Sequence, residues 1–257
     1  MTVVFAKLGL GVVTSDLPQG NKISSVMRHN AEHGCRHCMV AQSDLGVLQY
    51  DIVSNGRYHH ITSRLLAQIR SGFQTKAEKL RFASEWGLST SPANPLDKLC
   101  FDRHHQVPHD PAHVLLQNIS HILIDSSLAI LGRTGSQKFT NTLSHMVLPR
   151  GWSRFADPVS HLASFFFSDY GRLIMVGAFV FLQLDETHLS NTALPKLMTR
   201  IGCKRSSQVL KEVIRCWTLM AQTNATCFAS NMQRDDYDKM DLLIRRLAAQ
   251  LLKVHRY

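Results

Sequence analysis

Along most of this 257-residue chain apolar residues recur at three- and four-residue steps, the spacing of one buried helix face. The opening is different. Thr2 to Ser15 is rich in Val, Leu and Gly with a single lysine, which predicts a buried strand, bent at Gly9 or Gly11 and ending at Asp16. Leu17-Pro18 then leaves the sheet, Gly20-Asn21 reads as a turn, and a helix is expected from about Asn21 to Glu32. Between 63 and 100, Leu65, Leu66, Ile69 and Phe73 form one stripe, and Ala77, Leu80, Phe82 and Trp86 another, followed by a loop from Gly87 to Pro95. A central helix follows, with Asp110 suited to its N-cap, Pro111 to its first position, and Leu115, Ile119 and Ile122 on one face. Gly132 to Ser136 reads as a turn, and a further helix runs to about Leu182, with Ser168 or Asp169 at its start. The tail is helical, with stripes at Val209, Val213, Cys216, Trp217 and Met220, then at Met240, Leu243, Ile244, Leu247 and Leu251.

Composition narrows the class. Mean hydropathy is −0.09, and the longest apolar run, Leu173 to Leu182, is well short of the roughly 18 residues a spanning helix needs. No membrane partner is expected. The formal charge of +10 favours a polyanionic partner. No run of five basic residues exists, so any such patch must be assembled by folding. Of the cysteines at 35, 38, 100, 203, 216 and 227, only Cys35 and Cys38 have motif spacing, which argues for a reducing compartment over a disulfide framework.

His33-Gly-Cys-Arg-His-Cys-Met39 is half of a zinc site, because the turn between the thiols lets both sulfurs face one metal. Two more ligands are required. His59 and His60 are candidates, with His104, His105, His109 and His113 also available. A redox pair is the alternative, although the motif follows an expected helix where a thioredoxin-like site would open one. Asp16 either ends a strand as a catalytic carboxylate or caps the next helix, and the local sequence favours the cap. Asp235, Asp236 and Asp238 sit where acids favour a helix dipole, and no glycine or distal Glu completes a calcium loop around them.

Taken in order, Ser15-Asp-Leu-Pro18, Glu32-His-Gly-Cys-Arg-His-Cys38, Asp51-Ile-Val, Arg57-Tyr-His-His-Ile-Thr62 and Asp110-Pro-Ala-His113 resemble blocks of the CACTA (En/Spm)-like transposases and their fungal Plavaka and KDZ relatives. The resemblance implies an α/β, mostly helical fold: an incomplete RNase H-like core interrupted by a long α-helical insertion. Residues 1–34 would be partial core, 35–62 the zinc segment, 63–165 the insertion with its Asp-Pro-x-His helix, and 166–257 C-terminal helices carrying the third acid. In that family three carboxylates hold Mg²⁺ for phosphodiester attack. By resemblance Asp16 is the second acid and Asp169 stands where the third, usually Glu, belongs; Glu186 is a weaker candidate. Asp110 and His113 would be structural or DNA-positioning. Residues 1–15 hold no Asp or Glu for the first acid, so the expectation is a transposase fragment unable to cut DNA alone. Its implied partners are transposon-end DNA and a further copy of itself, in the nucleus. The alternative is a zinc-stabilised nucleic-acid- or protein-binding module without catalysis, and a third reading is a helical scaffold with incidental charge.

Overall fold

The computed structural model describes residues 11–28, 30–91, 94–99 and 101–254. The chain divides into two compact units, 1–110 and 111–257. The division falls inside the segment read above as one helical insertion.

Among the described residues of the first unit, α1 (Leu17–Ile23) is joined by a long irregular segment to α2 (His59–Ser71), and a four-residue turn leads on to α3 (Lys76–Glu85). Its apolar core is small: Val26, Leu66, Ile69, Ala83 and Leu88. The stripe on α2 is realised, since Leu66 and Ile69 are its buried apolar residues. Thr75 and Glu78 form a capping box that fixes the start of α3. Polar side chains supply much of the remaining cohesion. Asn21 donates to the carbonyls of Met27 and Gly34, and Ser24 donates to Arg103 O at 2.7 Å.

The beginning of the expected strand, up to residue 10, lies outside the described residues. From Gly11 to Ser15 the chain is irregular, and Gln106 ties it down twice, its carbonyl accepting Val13 N–H and its side-chain amide donating to Gly11 O at 2.7 Å. No strand occurs among the described residues; pairing is limited to the isolated bridges Val26–Leu88, Cys38–Gly56 and Leu131–Leu189. The RNase H-like sheet is therefore not part of what is seen, while the mostly helical character is. The expected turn at Gly20-Asn21 is helical, because Asp16 caps α1 four residues earlier than anticipated and Pro18 occupies a favoured first-turn position.

The second unit is a helical bundle. A π-helical stretch, Ala112–Ile119, runs into α4 (Ser120–Ala129), followed by α5 (Arg133–His145), the short turn α6 (Pro158–His161), α7 (Phe167–Phe181), α8 (Ala193–Ile201), α9 (Ser206–Cys227) and α10 (Arg234–Val254). The expected turn at Gly132–Ser136 is instead the start of α5. Trp217 anchors the core. It is fully buried, donates through Nε1 to Ser127 Oγ at 3.0 Å, and packs on Phe181 with ring centroids 5.2 Å apart. A Cβ added at Gly177 would lie 2.0 Å from the Trp217 ring, so the crossing of α7 over α9 depends on that missing side chain.

The π-helical stretch corrects the stripe expected at Leu115, Ile119 and Ile122. A π turn holds an extra residue, which rotates everything after it. Leu115 stays buried, but Ile122 is exposed, and Leu123 and Ile124 take its place in the core. Ser120 Oγ donates to Leu115 O, helping to satisfy a carbonyl of the widened turn.

Candidate functional site

The Cys-x-x-Cys segment is built against a second loop. Arg57 N–H donates to His37 O at 2.8 Å and Met39 N–H to Asn55 O at 2.9 Å, which flank the Cys38–Gly56 bridge. This pairing turns the two thiols toward one another, with Sγ atoms 3.5 Å apart and neither in a disulfide. The side chain of His109 lies beside the Cys35 sulfur, and its ring meets that of His37 edge-on at 4.5 Å. The Cys38 S–H, together with His109, holds Cys35 as a thiolate far below the ordinary thiol range, against the opposing cost of burial. Cys38, as the donor of the pair, is pushed the other way. Burial and the neighbouring His109 lower His37 to about 4.

Two buried arginines surround this pair. Arg57 donates to the carbonyls of Cys35, His33 and Trp86 at 2.7–2.8 Å, and Arg36 donates to Pro108 O at 2.7 Å. A Cβ at Gly20 would lie 1.9 Å from Arg36 Nη1, so α1 closes directly over the guanidinium. Neither arginine pairs with a carboxylate among the described residues. The favourable charge nearest both is the Cys35 thiolate, which partly offsets the burial that lowers their pKa values.

The residues singled out from the sequence are distributed as follows. His59 opens α2, with Nδ1 facing Arg103 N–H at 3.3 Å and Nε2 facing Ser63 Oγ at 3.4 Å; the ring of His60 lies against Tyr58. They do not join the thiols in one group: among the described residues no three His, Cys, Asp or Glu side chains are arranged to hold a metal ion. The histidine that reaches Cys35 is His109. His104 is buried on Thr62, and His105 pairs with Asp102. In the second unit the ring of His113 packs edge-on against Phe167 at 4.8 Å.

Both candidate catalytic acids serve helix ends. Asp16, in the first unit, accepts Gln19 N–H at 2.8 Å. Asp169, in the second, accepts Phe166 N–H at 2.9 Å and pairs with Arg172. Glu186 lies in a short 3₁₀ turn, Glu186–His188. A pair of magnesium ions therefore finds no assembled carboxylate set among the described residues.

A feature that periodicity does not reveal lies beside α1. Bonds from Met27 N–H to Gly87 O and from Ser89 N–H to Ser25 O join two walls of a groove of about 540 Å³. Lys22 and Arg28 stand on one wall and the Ser89-Thr90-Ser91 run on the other. Neither cation makes an ion pair with a described residue. Nothing local links these segments, which are some sixty residues apart; only the hydroxyl run itself is visible as a signal.

Compared with protein-family models, curated proteins and solved structures, the chain matches none.

Proposed function

We propose that this chain is a transposase-derived DNA-binding protein that does not cleave DNA by itself. The carrying observation is the groove of the first unit, where two unpaired cations and three hydroxyl residues face each other with no carboxylate in the lining. Cations and hydroxyls suit phosphate oxygens, and contacts of this type position a duplex without reading its sequence. The surplus of ten positive charges acts in the same direction at longer range. The ordered motifs from Ser15 to His113 support transposase descent, and transposon ends and a nuclear site are the corresponding DNA and compartment. The use of Asp16 and Asp169 as caps supports loss of cleavage.

The test is fluorescence anisotropy with a labelled duplex over a salt series, alongside nicking of supercoiled plasmid in Mg²⁺. Binding is expected to weaken steeply with salt, and replacing both Lys22 and Arg28 by Gln is expected to lower the log–log slope by roughly 2. No nicking is expected. Nicking that disappears in Asp16→Ala would overturn the non-cleaving reading; absence of salt-dependent binding would leave only the scaffold.

A second reading has its own observation. Cys35 and Cys38 are soft thiol donors of the kind zinc takes, with sulfurs 3.5 Å apart; zinc bound there, with further ligands drawn in on binding, would supply structural cross-linking. It predicts one Zn²⁺ per purified chain by elemental analysis, lost in the Cys35→Ser/Cys38→Ser variant. A metal content of zero in both would exclude it.

A further inference from the structure

Ser89, Thr90 and Ser91 follow one another on one wall of the groove beside α1, and they are not equivalent. Ser89 is tied down. Its N–H donates to Ser25 O at 3.0 Å, and its Oγ accepts Ser91 N–H at 3.2 Å and donates to Ser91 Oγ at 2.8 Å. Ser89 and Thr90 are half-buried, whereas Ser91 is exposed. Beyond Ser91 the chain is pinned again, where Asn94 Nδ2 donates to Ile23 O at 2.7 Å. Ser91 is therefore an accessible hydroxyl held between two ties to the end of α1. The opposite wall carries Lys22 and Arg28, both exposed. Ser25, with a left-handed φ of 58°, turns the chain back just past α1, and both cations then line one groove. No carboxylate lines it with them. In the sequence Ser91 is followed directly by Pro92.

We propose that Ser91 is a phosphorylation site for a proline-directed serine/threonine kinase, and that Lys22 and Arg28 hold its phosphate in place of nucleic acid. A serine with proline directly after it is the local pattern such kinases read. Proline offers no N–H and biases the residue before it towards an extended backbone. ATP is the co-substrate. The bond from Ser91 Oγ to the γ-phosphorus forms as the bond from that phosphorus to the bridging oxygen breaks, ADP leaves, and the hydroxyl proton passes to the base of the kinase. The product carries a charge of about −2 and three acceptor oxygens. An ammonium and a guanidinium across the groove match that charge and donate charge-assisted hydrogen bonds to those oxygens. The same two cations are the ones assigned above to duplex phosphates. A phosphate fixed to the chain competes for them at an effective concentration on the order of millimolar, which a duplex in solution does not reach. The loss of duplex binding rests on the DNA reading above; the grip on the phosphate does not.

The test treats the full chain with a proline-directed kinase and ATP and maps the product by mass spectrometry. One phosphate on Ser91 is expected, and none at that position in Ser91→Ala. A broad-specificity phosphatase then removes it. Removal is expected to be roughly tenfold faster or more from the Lys22→Gln/Arg28→Gln variant than from wild type, because nothing there holds the group. Lys22→Arg/Arg28→Lys, which keeps both charges, is expected to restore slow removal, and this separates lost cations from a lost fold. By anisotropy, phosphorylation of wild type is expected to weaken duplex binding at least about tenfold. Kinase treatment is expected to leave Ser91→Ala at its own starting affinity. Absence of phosphate on Ser91, or equal removal from wild type and the Gln variant, overturns the inference. Duplex binding that phosphorylation does not change overturns the competition. An unmodified chain that binds no duplex, with the phosphate still protected, sinks the DNA reading and upholds the grip.

Discussion

Arg57 holds three loop carbonyls that no other side chain among the described residues serves, those of His33, Cys35 and Trp86. Replacing it by Met leaves those acceptors buried without a donor, each costing about 1–3 kcal/mol. Arg57→Met is therefore expected to abolish protection of α2 and α3 amides in hydrogen exchange while α9 stays protected. Equal loss in both units would contradict the assignment of Arg57 to the first alone. His104 makes the same unit sensitive to acid. Burial, with Arg57 nearby, lowers it from 6.5 to about 3. Its folded pKa lies below its unfolded one, so the stability linked to its neutral form is complete above about 6.5 and is lost as pH falls toward 3. The slope in that window is up to about 1.4 kcal/mol per pH unit. His104→Gln, which retains a partner for Thr62, is expected to flatten the fall in urea midpoint between pH 6.5 and pH 4.5 (roughly the upper part of the His range). An unchanged fall would place the sensitivity elsewhere.

At the scale of the element, the legible part of the fold was whatever repeats locally. Val209, Val213, Cys216, Trp217 and Met220 mark the buried face of α9 from sequence alone, and all five are fully inaccessible. Leu66 and Ile69 do the same for α2. Periodicity failed where spacing changes within a helix, as in the π-helical stretch, and where order depends on a distant partner, as in the tie of Val13 to Gln106. The candidate site divided along the same line. The paired thiols are written in one short motif, but the choice of His109 among so many histidines is made by Arg36 holding Pro108, and the Lys22/Arg28 groove needs Gly87 and Ser89 brought across from another loop. The α7–α9 crossing offers a direct test of element packing. Gly177→Ala places a methyl inside the Trp217 ring and is expected to destabilise the second unit by about 1–3 kcal/mol. Equilibrium denaturation followed by tryptophan fluorescence measures it, and an effect below about 0.5 kcal/mol would mean the helices can part freely there.

At the scale of the molecule, each unit owes its internal cohesion to different groups. Among the described residues the first has only five buried members in its apolar cluster and relies also on buried arginines, asparagine and serine; the second buries a continuous core around Trp217. Hydrogen-bonded polar networks are sensitive to charge state, while apolar burial is largely indifferent to it. Two calorimetric transitions are expected, with mild acid lowering the first and Gly177→Ala lowering the second. A single transition that both treatments shift together would show the units to be one cooperative block.

The reach of the Arg36 contact also sets a timetable for synthesis. Its carbonyl acceptor at Pro108 is 72 residues further along the chain. At about 5–20 residues per second on the ribosome, the guanidinium waits roughly 4–14 s before that acceptor has even been made. Ser24 and Arg103, joined across 79 residues, wait longer still. Throughout that interval the paired thiols and the half-built groove are open to the surrounding solution, so oxidants, metals and chaperones can meet the nascent first unit before its own last residues do.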